Sequence, residues 1–228
     1  MACNNPRPNA DQDTSGKPMS RNQSIVVAAI VAIVAVASGM LLARAILNPQ
    51  GSTQLGLTKA TVLTPPRPLP EFTLTDQDGR TFDLSKLRER WSLLFFGFTH
   101  CPDVCPTTLG VLARTEQELA DLAPELRPHV VFVSVDPKRD SPQQLASYVK
   151  FFSPDFTGVT GTQQSIDDFT QALGVPVAIT PTENGDYSVD HSAAIFLIDP
   201  QGAMHALFST PHVASEIAAD YRRIVKAR

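Results

Sequence analysis

Apolar positions along the chain follow three different rules. Residues 25–43, IVVAAIVAIVAVASGMLLA, run for 19 positions without a charge or an amphipathic stripe. As a helix at 1.5 Å per residue that length crosses a bilayer, and the pattern predicts a transmembrane anchor over 25–47. Ala35-Val36-Ala37 before Ser38 has the small-x-small form of a signal-peptide cleavage site, but the apolar run continues through Met40, Leu41 and Leu42, as an uncleaved anchor does. Residues 48–70 then turn polar and rich in breakers (Pro49, Gly51, Pro65, Pro66, Pro68, Pro70) and read as an extended Pro-rich tether. From residue 71 onward short apolar runs alternate with helical spacing, the pattern of one folded domain over 71–228.

Within that domain Phe72–Leu74 and Thr81–Asp83 flank Asp78-Gly79 and predict an N-terminal hairpin. Trp91–Phe98 is a continuous apolar run, expected to be a central strand buried on both faces, and Val130–Val135 a second. Leu109, Leu112, Leu119 and Leu122 recur at helical spacing over 107–123, with Pro106 as first helical residue. Ser141-Pro142-Gln143-Gln144 carries an N-cap, a first-turn proline and a capping-box glutamine for a helix to about residue 152. A strand over 156–160, a helix over 165–173 stopped by Gly174, a strand over 193–198, a hairpin turn at Asp199–Gly202, a strand over 204–208 and a helix over 211–226 complete the list. Strands and helices alternating around two parallel strands predict an α/β sandwich of thioredoxin type.

Charge then sets orientation and compartment. Arg7, Lys17 and Arg21 precede the apolar run, against Arg44 and the distant Lys59 behind it, which keeps residues 1–24 in the cytoplasm. Asp11 and Asp13 do not suit a mitochondrial presequence, so the expected setting is a bacterial inner membrane crossed once, with the C-terminal domain periplasmic. A net charge of -4 offers no basic field, and no nucleic-acid partner is expected. Of three cysteines, Cys3 falls on the reducing side of this topology, leaving Cys101 and Cys105 to partner each other.

Those two stand in FFGFTHCPDVCPTTL, at the C-terminal end of the predicted central strand, where ligands collect in open α/β sheets. Cys105 precedes Pro106 at a helix start, whose free N–H groups favour a thiolate. Four residues of separation put the Cα atoms about 6 Å apart in a helical or turn segment, a distance that a disulfide, a redox pair and a pair of soft metal ligands all accept. The C-x-x-C spacing of thioredoxin-like redox centres is missed by one residue. Two thiolates suit Cu(I) or zinc but leave a metal short of a ligand. His191 is the best placed of five histidines, in a loop before an apolar strand, with Asp190 beside it to orient the ring. His100 is a supporting candidate, while His129, His205 and His212 read as surface or hairpin histidines. A peroxiredoxin motif fits neither cysteine, and a zinc hydrolase lacks a glutamate placed as its base.

F-x-F-T-H-C-P-D-V-C-P-T-T-L, then Ser134-Val135-Asp136-Pro137 with Arg139-Asp140, then Asp190-His191-Ser192 leading into Leu197-Ile198-Asp199-Pro200, together resemble the Sco/SenC family over residues 70–226. The resemblance implies a membrane-tethered, thioredoxin-like copper chaperone for the dinuclear copper centre in subunit II of cytochrome c oxidase. It implies one copper per domain, as Cu(I) or Cu(II), on Cys101, Cys105 and His191, with Asp136 in a supporting role nearby. Two thiolates and a neutral imidazole would hold Cu(I) three-coordinate, whereas Cu(II) takes a further donor. A second periplasmic copper chaperone or a thiol reductase is an expected further partner. The competing reading is a thiol-disulfide reductase or redox sensor working through Cys101 and Cys105 alone.

Overall fold

In the computed structural model, which describes residues 30–40, 56–181 and 187–227, the chain divides into two units, residues 1–51 and residues 52–228. In the first unit residues 30–40 form helix α1, with Ile30, Val31, Ile33, Val34, Val36 and Met40 exposed. Among the described residues no helix is long and apolar enough to cross a membrane. The rest of the span expected over 25–47, the segment before it and the start of the expected tether lie outside the described residues.

The second unit contains β1 (Ala60–Pro68), β2 (Thr73–Asp76), β3 (Thr81–Asp83), β4 (Ser92–Gly97), α2 (Val104–Glu118), β5 (His129–Ser134), α3 (Pro142–Phe152), β6 (Thr157–Thr160), α4 (Gln163–Leu173), β7 (Val177–Pro181), β8 (Tyr187–His191), β9 (Ile195–Ile198), β10 (Ala203–Phe208) and α5 (Ala214–Lys226). Eight strands form one sheet in the order β1-β10-β9-β4-β5-β6-β2-β3, while β7 and β8 make a separate two-stranded sheet. All six residues of β4 are buried, as a continuous apolar run requires of a strand covered on both faces. It pairs in parallel with β5 (Phe95 opposite Phe132) and antiparallel with β9 (Phe95 opposite Ile195). Parallel pairing continues from β5 to β6, so three parallel strands rather than two form the centre.

Several local predictions hold for their stated reasons. The hairpin β2–β3 closes on an Asx turn, with Asp76 Oδ1 accepting from the N–H groups of Asp78 (2.9 Å) and Arg80 (2.8 Å), and Gly79 at φ 77°. Ser141 Oγ accepts from Gln144 N–H to cap α3, and Gly174 ends α4 in the left-handed region. The Gln144 side chain does not close a capping box; its amide donates to Thr99 Oγ1 instead. Helix α2 begins at Val104, two residues before Pro106, because proline is tolerated throughout a first turn whose N–H groups have no helical partner.

Two segments differ from expectation. Residues 60–68, within the expected tether, form edge strand β1 on β10. Its register breaks between Val62 and Arg67, where Pro65 and Pro66 lie, and an edge strand accommodates prolines that a central one would not. Its entry is fixed by Asp220 of α5, fully buried, whose carboxylate accepts from the backbone N–H groups of Thr58, Lys59 and Ala60 at 2.7–3.0 Å. The second is the hairpin β7–β8, in a stretch for which the sequence pattern predicts neither strand, and its last residue is His191. Residues 182–186 between the two strands lie outside the described residues.

Replacing Asp220 by Ala leaves three backbone donors in a buried setting without their acceptor, and chemical denaturation is expected to show a loss of about 3 kcal/mol. A pH effect is expected at the start of β5, at His129. His129 Nε2 lies 2.8 Å from Thr157 Oγ1 and its Nδ1 has no hydrogen-bond partner among the described residues; burial, aided by the Arg90 charge, holds its pKa down at about 4. Between pH 6.5 and about 4 the unfolded chain therefore binds a proton that the folded one refuses, so stability falls on acidification by up to about 1.4 kcal/mol per pH unit over that window. In His129→Gln the same titration should lose this component of its slope.

Candidate metal centre

The cysteine segment leaves the sheet at Gly97, the last residue of β4. A Cβ on Gly97 would lie 2.8 Å from Cys105 Sγ and 2.6 Å from the Phe132 ring, so a glycine is what allows the sulfur to rest against the strand end. A turn follows, with Cys101 N–H donating to the Phe98 carbonyl, and α2 then starts with Cys105 as its second residue. Cys105 is fully buried and Cys101 partly so; neither is in a disulfide. The Cys105 N–H, at the start of α2, donates to Cys101 Sγ at 3.4 Å. The expectation that the helix start favours a thiolate at Cys105 is not met. Burial pushes that thiol well above the usual range, the Phe98 backbone N–H opposes this, and the nearby Cys101 and Asp140 add to the rise.

His191 arrives from the other side. Because β9 pairs with β4 as far as Phe95 opposite Ile195, the chain entering β9 comes in beside Gly97 and Phe98. His191 sits at the end of a strand, paired with Val177, rather than in a loop. Its ring meets Phe98 and Phe95 edge to face, at 5.9 and 6.2 Å between centroids. Nδ1 lies 3.0 Å from the Ser192 carbonyl, an acceptor only, so Nδ1 carries the proton and donates. That leaves the Nε2 lone pair to accept from the Cys105 thiol, whose Sγ is 3.5 Å away. Burial lowers the His191 pKa, against the Ser192 bond and the Asp190 charge, and keeps the imidazole neutral. The ring is oriented by Ser192 and not, as expected, by Asp190, whose side chain is exposed.

A single turn between β5 and α3 holds both halves. Asp140, fully buried, accepts from Thr99 N–H (2.9 Å), Thr99 Oγ1 (2.6 Å) and Ser134 Oγ (2.6 Å), fixing the residue two before Cys101. Asp136, also buried, accepts from Tyr187 Oη at 2.6 Å and from Arg139 Nε, so it reaches the first residue of β8 rather than the sulfurs. Arg139 donates to the Tyr187 carbonyl at 3.3 Å and lies over two rings, 3.9 Å from the centre of Tyr187 and 5.7 Å from that of Phe98. His100 turns to Thr99 and Asp140. His212, expected at the surface, is partly buried and donates from Nε2 to the Ala193 carbonyl at 2.7 Å, two residues past His191. His205 packs against Trp91, and His129 stands at the start of β5, away from the cysteines.

Among the described residues no group of three or more His, Cys, Asp or Glu side chains stands close enough together to hold a metal ion. What the fold brings together is one soft sulfur, one neutral imidazole with its lone pair directed at that sulfur, and a second sulfur bonded to the adjoining amide. A family model described as SCO1/SenC matches residues 63–226. The chain belongs to the SCO1/SenC family. It is 40% identical over 148 residues to the SCO2-like protein of Rickettsia prowazekii, covering 64% of this chain and 71% of that one. It is 38% identical over 151 residues to the human mitochondrial protein SCO1 homolog, covering 65% of this chain but half of the human protein. The crystal structure of Arabidopsis thaliana ScoI with copper bound superposes with a TM-score of 0.65 at 33% identity, covering 69% of this chain and 98% of that structure. The SCO1/SenC fold here is accordingly the thioredoxin-like α/β architecture expected from the pattern of elements.

The tight seat at Gly97 gives a prediction separable from metal chemistry. Gly97→Ala forces Cys105 and the Phe132 ring to move, and thermal or chemical unfolding should register a loss of about 1–3 kcal/mol from overpacking. Gly110, whose added Cβ meets nothing within 4 Å, is the matched helix site at which Ala should be neutral or stabilising.

Proposed function

We propose that this SCO1/SenC protein is a copper metallochaperone that carries one copper on Cys101 Sγ, Cys105 Sγ and His191 Nε2. Its proposed recipient is the dinuclear copper centre of cytochrome c oxidase subunit II. The observation that carries the reading is the 3.5 Å approach of His191 Nε2 to Cys105 Sγ between residues 86 apart in the chain, with the ring proton committed to Ser192. A neutral imidazole with its second nitrogen already hydrogen-bonded is the form in which histidine binds a soft metal, and the bond fixes the ring's aim. Cys101, partly exposed, is the donor an incoming thiolate reaches first, so cargo passes by stepwise ligand exchange. The family match, and the copper bound in the Arabidopsis relative, support copper over zinc. Residues 25–47 are the proposed single-pass anchor in a bacterial inner membrane, with the domain in the periplasm.

One observation favours the second reading, thiol-disulfide exchange. The partly exposed Cys101 and buried Cys105 form the asymmetric pair such chemistry uses. Cys101 attacks a substrate disulfide, releasing one substrate thiolate as the mixed disulfide forms, and Cys105 then attacks Cys101 Sγ and releases the second, so the pair is oxidised to a disulfide as the substrate is reduced to two thiols.

Titration of the protein with Cu(I) against a competing chelator separates the two. Cys101→Ser and Cys105→Ser should abolish retention at equimolar metal, and His191→Ala should weaken it by about tenfold or more while leaving dithiol oxidation intact. Unchanged retention in His191→Ala removes the three-ligand model.

A further inference from the structure

Three side chains tie down the far end of the strand that carries His191. Tyr187 opens β8 and His191 closes it, and among the described residues the strand belongs to a two-stranded sheet separate from the eight-stranded one. Its attachment at the Tyr187 end is made by side chains. Tyr187 Oη donates to Asp136, which is 2% exposed; Arg139 bonds Asp136 through Nε and the Tyr187 carbonyl through Nη1; and the guanidinium is stacked on the Tyr187 ring. The Phe98 ring, against which the His191 imidazole rests, also lies near the same guanidinium. Asp136 is itself built into the sheet end through its N–H to Ser134 Oγ.

We propose that Asp136, Arg139 and Tyr187 are a latch: positioning residues that hold the β7–β8 hairpin closed and so keep His191 Nε2 at Cys105. Release of the latch lets the strand swing away and an incoming donor take the place of the imidazole, with no change in the oxidation state of the metal. The physical basis is leverage. A charge-assisted cluster at one end of a five-residue strand fixes the angle at which the other end arrives, and two sets of contacts lead from Arg139 to the imidazole, along β8 and through Phe98. The proposal rests on the copper-carrying reading for its consequence, but the closure of the hairpin is a property of the metal-free protein.

Two readouts on the full chain in detergent test it, using Tyr187→Phe, which keeps the ring and loses one hydroxyl, and Arg139→Gln. In the metal-free protein, amide hydrogen exchange over residues 188–191 should speed up by about tenfold in both variants, with residues 195–198 of β9 unaffected. In the Cu(I)-loaded protein, loss of copper to a chromogenic chelator should speed up by about tenfold, and the same substitutions made on top of His191→Ala should add nothing further. Exchange over β8 that stays at the wild-type rate overturns the latch, as does copper loss accelerated equally with and without His191. Should His191→Ala alone leave copper retention unchanged, the three-ligand reading is what fails, and the exchange rates still decide whether the cluster closes the hairpin. Tyr187→Phe removes a single atom, so it carries the test if Arg139→Gln does not fold.

Discussion

Everything at the site depends on how β4 is paired. Its six residues are buried, and its neighbours run in opposite senses, β5 parallel and β9 antiparallel. At the carboxyl end of β4 one neighbour therefore leaves the sheet and the other enters it, so three separate stretches of chain are delivered to one edge. They are the cysteine turn after Gly97, the acidic turn after Ser134, and the segment that brings His191 toward Ile195. A shift of one residue in the β4–β9 register would turn Ile195–Ile198 to opposite faces of the sheet, and that apolar burial is what locks the approach of the histidine.

Buried carboxylates then convert that rough convergence into fixed geometry. Asp140, Asp136, Asp199 and Asp220 are each 2% exposed or less, and each accepts from backbone or side-chain donors on other segments or at a turn. A buried charge is tolerated only where its lone pairs are filled, so each of these sites demands several donors at once. Two of them face the site from one turn, Asp140 toward the cysteine segment and Asp136 toward the histidine strand.

How far the sequence could be read follows from the kind of signal each part carries. Continuous apolar runs such as Ser92–Gly97, and caps such as Ser141 and Gly174, act locally and were legible, as was the candidate status of Cys101, Cys105 and His191. Strand β1 was not, because Pro65, Pro66 and Pro68 announce a tether unless the strand is known to lie at an edge. The hairpin β7–β8 was not, because four of the five residues of β7 are exposed and give no alternation. Helix position suggested an activated Cys105; desolvation outweighs it, and burial depth is not written in the spacing of two cysteines. The roles of Thr99, Arg139, Tyr187 and His212 arise from contacts across long stretches of chain, for which a single sequence gives only the hint that Arg139 and Asp140 follow Asp136.

The outer margins of the eight-stranded sheet have a consequence for life in a crowded compartment. On one side β1 exposes prolines that lack an amide hydrogen, and on the other β3 has three residues. Neither rim offers a long, regular row of free donors and acceptors to a second copy. Self-association by strand addition is thereby discouraged, and neighbouring molecules can stand close together without seeding fibrous stacks.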